Sequence, residues 1–305
     1  MSLALLFPGQ GVQHPDMLRW LSEEAAAAPV LNALAERLGA EWGERASDDA
    51  WASSNAVAQP LLTGLSLAAW KVLAPHLPAP LIAAGYSVGE LAACSACGVF
   101  GVHEALDLAT QRAAAMDRSS GAKPAGLLAV SGLSVDTVES LVADAGLAVA
   151  IRIAVDRCVL GGPIAALDAL SPTLAARGAE LSPLRVRVAS HTPAMAAAAA
   201  DFAALIAPLA WQRSRCAIAS NLDGAGRRDA AAIKQMLAAQ IAHTLRWDCC
   251  MDTIAERQPR CVLEVGPGTS LARLWASRHP DVQVRSVDEF HSAAAVVAWV
   301  RRALA

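Results

Sequence analysis

The 305-residue chain has no block of lysine and arginine, and its 25 basic and 28 acidic residues leave a net charge of −3. Without a basic stripe there is nothing to hold a phosphate backbone, which excludes a nucleic-acid-binding role. No run reaches the roughly 18 uninterrupted apolar residues of a membrane span. The apolar stretch Leu3–Phe7 is too short for a signal peptide and has no basic leader. The seven cysteines are odd in number and scattered, which excludes a disulfide framework and suits reduced thiols in a cytoplasmic protein. Cys94 and Cys97 form a C-x-x-C, but no second pair stands at zinc-site spacing, so they read as small buried apolar residues and no metal site is expected. Charged residues are only 17% against 55% hydrophobic, which excludes disorder. Tyrosine occurs once, at Tyr86.

What is present centres on Gly85-Tyr86-Ser87-Val88-Gly89. The apolar run Pro80–Ala84 reads as a buried strand and Val88–Ala96 as a helix, so Ser87 falls on a strand-to-helix turn. Such a G-x-S-x-G turn is the pattern of a nucleophile elbow, which holds a serine hydroxyl outward on a sharp bend. The Val88 amide at the helix start is placed to donate to an oxyanion formed at Ser87. A serine that merely caps a helix between two chance glycines fits the same residues, so a base and a second oxyanion donor are needed elsewhere.

In chain order, Leu3–Phe7 reads as a strand ending in the loop Pro8-Gly9-Gln10-Gly11, residues 16 to 39 as helical, and residues 42 to 56 as a polar connection. Gln59-Pro60 opens a long helix with Pro60 in its first turn, and a helix from 102 to 118 places Arg112 and Met116 on one face. From 124 to 190 the elements shorten: strand 126–130, helix 135–145, strands 147–155 and 159–160 joined at Asp156-Arg157, helix 163–177 and strand 184–188, an order of the ferredoxin-like type. Longer alternating elements then resume: helix 193–209, strand 216–219, helix 233–245, strand 262–265, helix 269–278, strand 282–286 and helix 291–304. The expected fold is α/β: a hydrolase-like large domain (residues 1–123 and 191–305) with a mostly parallel sheet, interrupted by a ferredoxin-like small domain (124–190).

Ser190-His191-Thr192-Pro193 stands at the return from the insertion. Together with Phe7-Pro8-Gly9-Gln10-Gly11, Gln59-Pro60, Gly85-Tyr86-Ser87-Val88-Gly89-Glu90, Gln111-Arg112 with Met116, Ser220-Asn221 and Glu264-Val265-Gly266-Pro267-Gly268, it resembles the ordered landmarks of the malonyl-CoA:acyl carrier protein transacylases. The resemblance runs from about residue 3 to 275 and implies a Ser-His dyad. In it Ser87 takes the acyl group as an ester, His191 is the general base, and the Gln10 and Val88 amides form the oxyanion hole. It further implies that Arg112 holds the free carboxylate of malonyl, with Gln59 and Met116 beside it, and that a carbonyl of Gln240 orients His191. Malonyl-CoA would be the substrate, no cofactor would be permanently bound, and the acceptor would be the phosphopantetheine-type arm of an acyl carrier protein.

Two departures, Tyr86 in place of the usual histidine and the hairpin cut to Asp156-Arg157, resemble the branch serving malonate decarboxylase, its epsilon subunit, where the acceptor is that enzyme's small carrier subunit. Supply of fatty-acid or polyketide synthesis is the alternative. A serine thioesterase or hydrolase shares the elbow and base; its acid would have to come from Asp136, Glu139, Asp144, Asp156, Asp168 or Glu180, none of which has a motif around it. A non-catalytic acyl-binding subunit is a further reading. Lys123, Arg185 and Arg187 are the expected docking rim for an acidic carrier, with the pantetheine arm in a cleft between the domains.

Overall fold

The computed structural model describes residues 2–121, 124–142 and 145–305; Lys123 and Asp144, named above, lie outside the described residues. Among the described residues eleven strands form two sheets. The first is built on β1 (Leu3–Phe7), whose five apolar residues are all buried. It is flanked in parallel by β2 (Ile82–Gly85) and β10 (Cys261–Glu264), and the order continues to β11 (Gln283–Ser286) on one side and β7 (Ala217–Ala219) on the other. Continuous apolar strands of this kind are what a parallel sheet covered on both faces requires. A two-residue β8 (Gly226–Arg227) closes the edge antiparallel to β7.

The register aligns Leu6 with Glu264 and Phe7 with Gly85. The loops leaving β1, β2 and β10 therefore gather at one carboxyl edge of the sheet, the usual place for a site in an open α/β sheet. The helix Asn55–Leu73 packs among the helices Ala28–Leu38, Gly89–Ala96 and Val102–Ser119. Its segment Asn55–His76 is long and apolar enough to span a membrane by composition, but it is largely buried inside the protein.

The second sheet runs β6 (Glu180–Pro183), β3 (Ala125–Ser131), β5 (Arg157–Pro163), β4 (Ala148–Ala154), β9 (Leu245–Arg246). Its first four strands pair antiparallel, while β9, supplied from outside residues 124–190, pairs parallel with β4. Alternation splits its faces: Leu128, Val130, Val149 and Leu160 join a small core with Val138 and Leu174, while Leu127, Ile153 and Val159 join the main core.

Several expectations shift. The last of the antiparallel strands is Glu180–Pro183, and residues 184–188 form no strand: the Leu184 N–H still donates to the Leu127 carbonyl at 2.9 Å, but among the described residues no N–H of 185–188 finds a backbone acceptor. The hairpin turn is Val155-Asp156 rather than Asp156-Arg157. Pro60 lies inside a helix that begins at Asn55, and the helix expected over 233–245 is Ala230–Ala239, opened by an Asp229 side-chain cap. Cys94 and Cys97 are both buried, and Cys97 Sγ lies 3.1 Å from Cys216 Sγ.

Candidate active site

Ser87 stands two residues beyond the end of β2 and takes φ 56°, the left-handed bend that turns the chain from strand into the helix Gly89–Ala96. Two close approaches hold the bend against β1. A Cβ at Gly89 would lie 2.3 Å from the Phe7 carbonyl oxygen, and one at Gly9 would lie 2.6 Å from the Tyr86 carbonyl oxygen. The Tyr86 N–H completes the join by donating to the Phe7 carbonyl at 2.9 Å. The Gly9-Gln10 loop is thus packed on the elbow, and among the described residues neither the Gln10 nor the Val88 amide has an acceptor within the chain. Those two amides are the sequence-predicted oxyanion donors.

His191, 104 residues further on, brings its Nε2 to 2.8 Å from Ser87 Oγ. Its Nδ1 lies 2.6 Å from the backbone carbonyl of Gln240, which can only accept. The proton therefore sits on Nδ1, and Nε2 has a free lone pair for the Ser87 hydroxyl. Burial first, then the Arg112 guanidinium, pushes the His191 pKa down to about 3, so the ring is neutral at pH 7. Its Nδ1 partner is a carbonyl, so none of the described acids weighed for a triad takes that place.

Arg112 comes from the helix Val102–Ser119 and is fully buried. It donates to Gln59 Oε1 at 2.7 Å, to Ser87 Oγ at 3.3 Å and to Gln240 Oε1 at 3.3 Å. Gln59 Nε2 in turn donates to Met116 Sδ at 3.4 Å, so Arg112 and Met116 do share the face that looks toward the serine, with Gln59 between them. Among the described residues no carboxylate lies within ion-pairing distance of Arg112, and its Nε has no partner. Burial lowers its pKa to about 10, which leaves it charged. Glu90, buried on the helix after the elbow, is pushed up to about 8 by desolvation and so holds a proton at neutral pH. The site thus contains one desolvated, uncompensated cation beside a serine with a neutral base.

The eight residues singled out from sequence fall at one place. Sequence reasoning named Ser220-Asn221 as a landmark but gave Asn221 no role; its carboxamide bridges the elbow, Nδ2 donating to the Gly85 carbonyl at 2.8 Å and Oδ1 accepting from the Ser87 N–H at 2.9 Å. An asparagine two residues beyond a strand of small apolar residues was the available signal. Tyr86 packs edge-on to Trp247, with ring centroids 5.1 Å apart, and burial pushes its phenol up, so it stays un-ionised beside the nucleophile. Arg185 and Arg187 are exposed on the segment after β6, and Arg185 pairs with exposed Asp49 at 2.9 Å. They line a cavity of about 470 Å³ between the Asp49–Ser53 segment and the second sheet, to which Ser87 and His191 do not contribute.

The family described as the acyl transferase domain matches residues 4–302. The malonyl CoA-acyl carrier protein transacylase of Mycobacterium tuberculosis (strain ATCC 25618 / H37Rv) is 34% identical over 291 residues, covering 93% of this chain and 96% of that protein. The transacylase of the same name from Salmonella typhimurium is 28% identical, covering 89% and 91%. Among solved structures, the acyl-carrier-protein S-malonyltransferase of Burkholderia pseudomallei 1710b matches with a TM-score of 0.90 at 28% identity, covering 98% of this chain and all of that one. The malonyl-CoA:acyl carrier protein transacylase of Xanthomonas oryzae matches with a TM-score of 0.91, also at 28% identity, covering 98% and 99%.

Proposed function

The chain belongs to the acyl transferase domain family, and from that premise we propose that it moves a malonyl group from malonyl-CoA to the prosthetic-group thiol of an acyl carrier protein. Ser87 Oγ attacks the thioester carbonyl while its proton passes to His191 Nε2. The oxyanion is held by the Gln10 and Val88 amides. Collapse expels the CoA thiolate, which takes the proton from His191 and leaves a malonyl ester on Ser87. The carrier thiol then gives its proton to His191, attacks the ester, and returns Ser87 to its hydroxyl form. A thioester has a good leaving group, so a positioned neutral histidine suffices and no acidic third member is required.

The observation that carries this reading is Arg112: a fully buried guanidinium, 3.3 Å from the nucleophile, with neutral hydrogen-bond acceptors only. Leaving such a charge unpaired costs several kcal/mol, and an acyl group with a distal carboxylate removes that cost when it binds. A hydrolase of neutral esters has no use for it. Two finer readings go with the proposal. Residues 124–190 form a ferredoxin-like insert in a hydrolase-like domain, supported by the β6-β3-β5-β4 strand order. The acceptor is the carrier subunit of malonate decarboxylase, supported by Tyr86 and the two-residue hairpin, and the carrier docks beside Arg185 and Arg187.

Intact mass after brief exposure to malonyl-CoA tests the chemistry. An 86 Da adduct is expected on the unaltered chain and absent from Ser87→Ala; release of CoA with no adduct would assign a hydrolase instead. Presenting the malonylated chain with the malonate decarboxylase carrier and with a fatty-acid-synthesis carrier identifies the acceptor by which one discharges it.

A further inference from the structure

The parallel pairing of β2 with β7 ends at Ala84 and Ala219. Just beyond it the β7 chain turns away, the Gly224 N–H closing back on the Ser220 carbonyl at 2.7 Å. The next ladder positions on the β2 side are the Gly85 carbonyl and the Ser87 N–H, and both are taken by the Asn221 carboxamide. A side chain thus continues the sheet where no backbone can follow. It does so up to Ser87, which is in the left-handed region, a conformation that a non-glycine residue keeps only when its surroundings impose it.

Asn221 is itself fixed at both ends of its backbone. Its N–H donates to Glu90 Oε1 at 2.7 Å, and its carbonyl accepts from the Arg246 N–H at 2.7 Å. Arg246 belongs to β9, the strand that the second sheet borrows from outside residues 124–190. The asparagine is fully buried and touches neither Arg112 nor His191 by hydrogen bond, so it has no part in holding an acyl carboxylate or in moving the proton.

We propose that Asn221 is a positioning residue for acyl transfer, its carboxamide holding the Ser87 backbone in the bend that brings Oγ onto His191 Nε2 and leaves the Val88 amide free. The proposal rests on the acyl-transfer reading above, but its test need not. Removing the carboxamide lets Ser87 relax by a fraction of an ångström to an ångström, enough to cost on the order of 10²-fold in rate while the malonyl-binding side stays in place.

The test compares the unaltered chain, Asn221→Ala and Asn221→Asp by steady-state transfer from malonyl-CoA, by thermal unfolding, and by the rate at which phenylmethanesulfonyl fluoride modifies Ser87. That reagent has no carboxylate and does not use Arg112. In folded Asn221→Ala, kcat should fall roughly 10²-fold with KM within about threefold, and sulfonylation should slow in parallel. Asn221→Asp keeps an acceptor for the Ser87 N–H but loses the donor to Gly85, so it should fall between the two. A folded variant whose kcat and sulfonylation rate stay within threefold of the unaltered chain overturns the proposal, as does a rise in KM with kcat kept. Should Asn221→Ala not fold, Asn221→Asp decides by the same criteria. If the unaltered chain transfers no malonyl yet is sulfonylated at Ser87, the functional reading fails, and the sulfonylation rates still decide the role of Asn221.

Discussion

The two flanks of Ser87 are built on opposite principles. On the elbow flank the backbone groups that the sharp turn would orphan are paired within the chain: Tyr86 N–H with Phe7, Gly85 carbonyl and Ser87 N–H with Asn221, Asn221 N–H with Glu90. The Val88 N–H is the backbone group of the turn left free, and among the described residues the buried side-chain atoms without a partner there are Glu90 Oε2 and Nε1 of Trp247, the ring against Tyr86. On the other flank Arg112 is desolvated, its Nε is unpartnered, and its other contacts are to Gln59, Gln240 and the nucleophile itself. Geometry is thus completed by the protein and charge is left for the substrate to complete. In the proposed malonyl transfer, binding energy from the distal carboxylate is realised only when the correct acyl group is in place.

The largest effects should come from breaking the part both flanks serve. His191→Ala should slow acylation by about 10³-fold or more, since it removes the base while Ser87, the two amides and Arg112 remain. Rapid-quench mass spectrometry of the malonyl adduct measures it. Arg112→Met should lower kcat/KM for malonyl-CoA by roughly 10²-fold and leave acetyl-CoA within a few-fold, so that the preference collapses. The two flanks should also differ in the sign of their effect on stability. Replacing an unpaired buried cation by an apolar side chain of similar length should raise stability in the absence of substrate by about 1–4 kcal/mol. Asn221→Ala, which strands two buried backbone groups, should lower it by about 1–3 kcal/mol. Urea melts of both variants in one buffer decide it, and equal signs would undo the contrast.

How far this was legible from sequence follows the same division. The elbow, the base and the guanidinium each belong to a short contiguous pattern, and each pattern landed in the site. That the sheet is mostly parallel was readable because strands buried on both faces are apolar without interruption, as β1 and β2 are. What escaped was set by pairing between distant segments. Asn221 acts across 134 residues on Ser87, and nothing in its neighbours announces that its carboxamide replaces a strand. Strand β9 is two residues long and exists only because β4 lies beside it. Residues 184–188 alternate like a strand, but only the Leu184 N–H finds a carbonyl of β3, and alternation alone does not create a partner for the rest. The Cys97–Cys216 contact is likewise invisible to a spacing rule, since the residues are 119 apart.

The smallest effect, and the one that joins the flanks, is on pH. His191 is held down to about 3 from its ordinary 6.5, so between those values the folded ring stays neutral while the unfolded one takes up a proton. Acylation should therefore stay level from pH 7 down to about 5, although stability falls as pH drops below 6.5, because the unfolded chain binds the extra proton. Glu90 runs the other way. It is held up to about 8 from 4.5, so the folded carboxyl keeps a proton that the unfolded one has lost, and this contribution to stability diminishes as pH rises from 4.5 toward 8. When Glu90 ionises it also places a negative charge in the field of Arg112, which its Coulombic effect on that guanidinium already reveals. A carboxylate supplied by the protein then competes with the one supplied by malonyl. KM for malonyl-CoA should rise a few-fold through pH 8 to 9 and that for acetyl-CoA should not. In Glu90→Gln, which keeps the acceptor for the Asn221 N–H but cannot ionise, the malonyl KM should be flat over the same range; a rise that survives this substitution would mean that the two flanks do not communicate through charge.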